Sequence, residues 1–158
     1  MHSTRFCQGI SDLSDSYSAF ILDQYGVLHN GTTVFDGVIE CLTELKNRKK
    51  TIILLSNSSK RAAENKKRLA EIGISEDLYD HIITSSEMVW QHLYHPKGLF
   101  KDYGKNCYLI SHAGDTSITD GLDITLVDDP AKADFLLLSG CDAPYKTLDD
   151  YDPILKVA

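Results

Sequence analysis

The chain has 158 residues, 42% of them hydrophobic and 25% charged, an ordinary globular composition with enough length for about one domain of usual size. Net charge is -7, and Lys and Arg are scattered apart from the run Lys46 to Lys50, which argues against nucleic acid as a partner. No apolar run approaches the roughly 18 residues of a membrane span, and Met1-His2-Ser3-Thr4-Arg5 lacks the apolar stretch of a secretory signal. No membrane partner is therefore expected, and the cytoplasm is the expected compartment.

Ala19-Phe20-Ile21-Leu22 is a short apolar run closed by Asp23, the pattern of a strand buried on both faces of a parallel sheet. Asn30-Gly31 between β-formers then predicts a tight hairpin, a small flap over residues 28 to 34. From Asp36 onward Val38, Cys41, Leu42 and Leu45 recur at helical spacing, with Glu40, Glu44, Lys46 and Arg48 on the other side. A second strand, Thr51 to Leu55, runs into Ser56-Asn57-Ser58-Ser59, a cluster suited to cap a helix starting near Arg61 and stopping at Gly73. Ile82-Ile83 follows as a third strand, and Thr84-Ser85-Ser86-Glu87 reads as a capping box before a helix from Met88 to Tyr94.

Strand, helix, strand, helix, strand in this order generates a parallel sheet, in which ligands gather at the carboxyl ends of the strands. Asp23 and Ser56 fall at those ends. Beyond Gly98 the pattern restarts with strands predicted at 107–110, 124–127 and 135–138, a second and smaller α/β unit. Asp152-Pro153 reads as a helix start with five residues after it, so the expectation is either a piece of a longer protein or a helix finished by a partner.

Cys7, Cys41, Cys107 and Cys141 lie too far apart in sequence for a CxxC pair or zinc knuckle, and are expected to be reduced and mostly buried. His92 and His95 are three apart, with no acidic or Cys ligand beside them, and read as surface residues. Asp128-Asp129 before Pro130 reads as a turn cap, and Gly114-Asp115, Gly121 and Gly140 as turns.

Asp23-Gln24-Tyr25-Gly26-Val27-Leu28 resembles the first motif of the haloacid dehalogenase-like superfamily, a strand-end Asp followed by a glycine turn and a flap. Asp36-Gly37, then Leu54-Leu55-Ser56-Asn57-Ser58-Ser59-Lys60-Arg61, then Leu69, Gly73-Ile74 and Ile83-Thr84-Ser85-Ser86 are similar, in order, to its type IIA branch of sugar-phosphate and nucleotide-type phosphatases. The similarity runs from about residue 18 to residue 158. It implies a Rossmann-like parallel-sheet core, incomplete here, over residues 1–86, and the first part of a smaller α/β cap over residues 87–158.

The resemblance also implies a chemistry. Asp23 would be the nucleophile that forms an aspartyl-phosphate and would supply one oxygen to Mg²⁺. The backbone carbonyl of Tyr25 would be a second metal ligand. Ser56, Asn57 and Ser58 would hydrogen-bond the phosphoryl oxygens of a small phosphorylated metabolite. Between Asp23 and Ser56 there is room only for a flap, a helix and a strand, so the cap follows the second motif, as in type IIA.

Two features depart from the pattern. The phosphatases carry a second Asp where this chain has Tyr25, and a phenol is a poor base at neutral pH; losing general acid/base help costs about 10²- to 10⁴-fold. The third-motif Lys and fourth-motif acidic ligands normally come after the cap, and the chain has no counterpart. The expectation is a weakly active or inactive piece of a Mg²⁺-dependent phosphatase, with a catalytically degenerate binding protein as the alternative. Uncovered apolar faces would also favour a homo-oligomer.

Overall fold

The computed structural model describes residues 6–98 and 101–157, so the segment Met1 to Arg5 read above lies outside the described residues. The chain forms two compact units, one comprising residues 1–57 and 62–84, the other residues 58–61 and 85–158. Each is an α/β unit built on its own three-stranded parallel sheet.

In the first unit a short helix α1 (Ser11–Ser14) precedes β1 (Ala19–Asp23), α2 (Val38–Asn47), β2 (Thr51–Ser56), α3 (Ala62–Glu71) and β3 (His81–Thr84). The strands lie in the order β1-β2-β3, with Phe20 beside Ile52 and Leu54 beside Ile82. Phe20, Ile52 and Leu54 bury one face of the sheet against Leu42 and Leu45 of α2 and Leu69 of α3. The third helix ends where Gly73, at φ +104°, lets Ile74 N donate to Leu69 O at 2.8 Å and Gly73 N to Ala70 O at 3.1 Å, a glycine stop of the Schellman kind.

The expectation of strands buried on both faces is corrected. Ile21 is 65% exposed and Leu55 46% exposed, so one face of this sheet is uncovered by its own unit. The reason is topological. When three parallel strands are laid down in sequence order, crossovers of one hand place both connecting helices on the same side.

The flap is also looser than a hairpin. It is held by single bridges, Tyr25 with His29 and His29 with Val34, and by the Asn30 side-chain oxygen, which accepts from Thr32 N at 3.1 Å and Thr33 N at 2.9 Å. Asn30 thus closes its own turn through its side chain, which widens the loop beyond the two residues of a tight hairpin.

The second unit contains α4 (Ser85–Tyr94), β4 (Asn106–Ile110), β5 (Thr125–Leu126), β6 (Phe135–Leu138) and α5 (Leu148–Leu155), with two 3₁₀ turns between β4 and β5 and one between β5 and β6. Strand order is β5-β4-β6, all parallel. Its core is small: Cys107, Ile118 and Leu137, with Val89 and Leu93 of α4 packed against them.

Three further expectations are revised. The strand predicted at 124–127 is cut to the exposed pair Thr125–Leu126, an edge strand pairing with β4 alone. The last helix starts at Leu148 rather than at Pro153, because the Asp150 carboxylate accepts from Thr147 N at 2.7 Å and Thr147 Oγ1 at 3.0 Å and fixes the first turn. All four cysteines are free, but Cys7 and Cys141 are exposed and only Cys107 is fully buried. The turn reading of Asp129 agrees with the structure, its side chain accepting from Ala131 N at 3.1 Å.

Candidate active site

The first sheet brings three oxygen-bearing side chains to its carboxyl edge. Asp23 ends β1 beside Leu55; Ser56, one step further along β2, is paired with Thr84 at the end of β3. Neighbouring strands lie about 4.8 Å apart, so the edge reads carboxylate, hydroxyl, hydroxyl across three adjacent strands. Side chains alternate along a strand, which puts Asp23 on the face of Ile21 and Leu55, and Ser56 on the face of Leu54. Asp23 and Ser56 therefore share no face of the sheet, and the region common to both is the space off its carboxyl edge. The sequence pattern marked Thr84 as the cap of the following helix and not as a strand-end hydroxyl beside Ser56; it is fully buried. The available signal was its place at the end of the third apolar run.

Asp23 is exposed, and its Oδ1 accepts from Gln24 N at 2.7 Å, which turns the carboxylate toward the chain that follows it. Gln24 is 3% exposed, and its carbonyl accepts from Leu28 N at 2.8 Å and Val27 N at 3.2 Å, so the backbone reverses immediately after the strand. Gly26, at φ +82°, allows that reversal. Gln24 Nε2 is buried without a hydrogen-bond partner. A donor in that position suits an oxygen acceptor and not a cation.

Tyr25 stands 69% exposed on this turn. Its ring lies edge-on to His29, with centroids 6.2 Å apart at 86°. His29 is 7% exposed, and its Nδ1 accepts from Gly31 N at 2.9 Å. Burial, and then the Arg68 charge, hold the His29 imidazole below its usual pKa, in the neutral form that can accept this bond. Arg68 Nη2 donates to Gly31 O at 3.2 Å. Neither His29 nor Arg68 was singled out from the sequence, because both act through a flap whose folding brings residues 25, 29, 31 and 68 together.

Asn57 is exposed directly after β2. Ser58 belongs to the second unit, where its Oγ accepts from Lys60 N at 3.1 Å and its carbonyl from Ser86 N at 3.3 Å. Lys60 Nζ is 2.7 Å from Asp115, and Arg61 pairs with Glu87 at 2.7 Å while stacking 3.9 Å over Trp90. The Lys60 ammonium, with Ser117 N–H, depresses the Asp115 carboxyl to about 2. Four residues after the Ser-Asn pair are thus fastened to the second unit by two ion pairs, an anchorage not foreseen from the sequence.

As a cation site the residues fit in kind and only in part. The Asp23 carboxylate and Tyr25 carbonyl are hard oxygen donors of the sort Mg²⁺ takes, but its octahedron needs about six. Among the described residues no group of three or more His, Cys, Asp or Glu side chains could hold a metal ion. Among the described residues, too, no helix is long and apolar enough to cross a membrane.

Comparison with known proteins agrees with this architecture. A haloacid dehalogenase-like hydrolase from Brucella suis 1330 is 28% identical with a TM-score of 0.80, over 96% of this chain and 56% of that one. A 4-nitrophenylphosphatase from Thermotoga maritima, 22% identical with a TM-score of 0.64 over 92% of this chain and 52% of that one, shares the fold. So does a protein named after nagD, 21% identical with a TM-score of 0.65 over 90% and 53%. The chain spans about half the length of these solved structures. No curated protein matches it in sequence. The family model for haloacid dehalogenase-like hydrolases matches residues 20–125, which include β1, the flap, β2 and the sheet edge they form. The chain therefore belongs to the haloacid dehalogenase-like hydrolase family.

Proposed function

We propose that this chain carries the nucleophile half of a type IIA phosphatase site, acting with Mg²⁺ on a small phosphorylated metabolite. Residues 1–86 supply part of the core and residues 87–158 the first part of a cap. The observation that carries the reading is the carboxyl edge of the first sheet, where an exposed carboxylate and a hydroxyl end adjacent parallel strands in a chain of this family. An Asp23 oxygen attacks phosphorus in line, the bond from phosphorus to the leaving oxygen breaks, and an aspartyl-phosphate forms. Ser56 and Asn57, with Ser58, hydrogen-bond the phosphoryl oxygens. The Asp23 carboxylate and the Tyr25 carbonyl would hold Mg²⁺, whose chemistry is to cancel charge between nucleophile and phosphate.

The departing oxygen needs a proton, and water must lose one to open the aspartyl-phosphate. Tyr25 offers a phenol for the first task and a poor base for the second, so the reading is of slow turnover. The test is hydrolysis of 4-nitrophenyl phosphate with Mg²⁺. Asp23→Asn is expected to lower the rate by about 10³-fold or more, and Tyr25→Asp to raise it by about 10²-fold. Robust turnover that survives Asp23→Asn would sink the assignment. Tyr25 also motivates a second reading, a binding protein that has lost its acid/base group: phosphate-ester binding without turnover, even with Tyr25→Asp, would favour it.

A further inference from the structure

We propose that the Tyr25 ring is the wall against which a substrate's leaving group stacks, so that the site selects phosphate monoesters of ring-bearing alcohols and phenols over short alkyl ones. This rests on the reading of Asp23 as nucleophile and names the substrate class of that same site. A tyrosine ring can bury about 150–250 Å² of largely apolar surface, yet this one is left 69% exposed.

It is nevertheless held in place. One edge is set against the His29 imidazole, itself buried and pinned through Nδ1 by Gly31 N at 2.9 Å. Gly31 lies so close beneath it that a Cβ there would come within 3.3 Å of Tyr25 Cε2. The Arg68 guanidinium fastens the Gly31 carbonyl from α3. A ring that is clamped on one side and bare on the other loses little further freedom when a partner stacks on it, which is what a recognition surface requires. Tyr25 is two residues from Asp23, a Cα separation of at most about 7 Å, which leaves its ring within reach of the organic part of a group in transfer to Asp23. On this account Tyr25 contacts the substrate, and His29 is a positioning residue that acts through it.

Calorimetric titration of the Asp23→Asn variant with phenyl phosphate and with methyl phosphate, in the presence of Mg²⁺, tests the inference. Aromatic stacking of this kind is worth up to about tenfold in affinity, so phenyl phosphate is expected to bind about tenfold tighter than methyl phosphate. Adding Tyr25→Ala should erase that difference, and Tyr25→Phe should keep it. His29→Asn, which retains an acceptor for Gly31 N, should also keep the difference, whereas His29→Leu should diminish it. Equal affinities in the parent, or a difference that survives Tyr25→Ala, overturn the inference and leave the nucleophile assignment standing. If neither compound binds, the site reading falls and the inference falls with it.

Discussion

The two units are built from the same parts, three parallel strands and their helices, yet they use them differently. The first has strand order β1-β2-β3 and a continuous core in which Ile52 and Leu54 are fully buried. The second has order β5-β4-β6, a two-residue edge strand and, among the described residues, four buried apolar side chains, Cys107, Ile110, Ile118 and Leu137. Where apolar burial is sparse, polar fastenings take over: the Asp134 carboxylate accepts from Lys105 N at 2.9 Å and Asn106 N at 2.7 Å, and Lys60 and Arg61 meet Asp115 and Glu87. A sheet packed firmly on one face can hold a strand-end residue such as Asp23 at a fixed place. A unit with a thin core and many surface pairs opens at lower free energy.

The sharpest way to break this contrast is through the two cores. Leu54→Ala, at a fully buried site in a central strand, is expected to cost about 3 to 5 kcal/mol, and Leu137→Ala about 2 kcal/mol. Urea unfolding followed by circular dichroism would compare the variants, with Trp90 fluorescence reporting the second unit alone, since it is the single tryptophan. Burial pushes the Cys107 thiol up to about 11, so its reaction with a thiol reagent would mark the opening of the second unit independently. Equal losses at the two sites would show that the second core is no weaker.

A smaller effect separates the two units at their glycines. Gly104 sits at φ +76° with the Asp134 carboxyl 2.5 Å from where a Cβ would be, so Gly104→Ala should cost about 3 kcal/mol, adding backbone strain to disrupted hydrogen bonds. Gly37, before α2 at φ +80°, has nothing within 4 Å of that point, and Gly37→Ala should cost only about 1 kcal/mol of strain. Similar losses in thermal unfolding would contradict the tight packing around Asp134.

The smallest effect is a pH dependence. The folded-state pKa of Asp115 is lowered, first by Lys60 and then by Ser117, to about 2. Its contribution is therefore complete above the ordinary carboxylate range near 4 and disappears as pH falls toward 2. With the two side chains 40% and 35% exposed, solvent screening limits it to about 1 kcal/mol or less. A carbon-detected titration of the Asp115 carboxyl should give a depressed midpoint that Lys60→Met moves back toward the ordinary value. No movement would mean that the pair contributes nothing.

Much of this was legible along the chain because it depends on near neighbours. The apolar runs ending at Asp23 and Ser56 announced two parallel strands, and Gly73 announced the end of α3, since a left-handed stop needs only a local glycine. The Thr147-x-x-Asp150 signal was equally local and was overlooked in favour of Pro153. The exposed face carrying Ile21 and Leu55 was misread for a different reason: an apolar run gives the same signal whether one face or both are covered, and coverage depends on where the helices cross.

The amino-acid sequence by itself determined the α/β class, the parallel strands of the first unit and the strand-end places of Asp23 and Ser56, because hydrophobic period and turn chemistry act over a few residues, while the roles considered for Tyr25 and Asn57 came from the family resemblance. Only the tertiary structure decided that Ser58 to Arg61 are anchored in the second unit, that Thr84 stands beside Ser56, and that His29, Gly31 and Arg68 support the Tyr25 ring. Those relations join residues distant in sequence, and they exist only once strand register and packing have brought the groups within hydrogen-bonding reach.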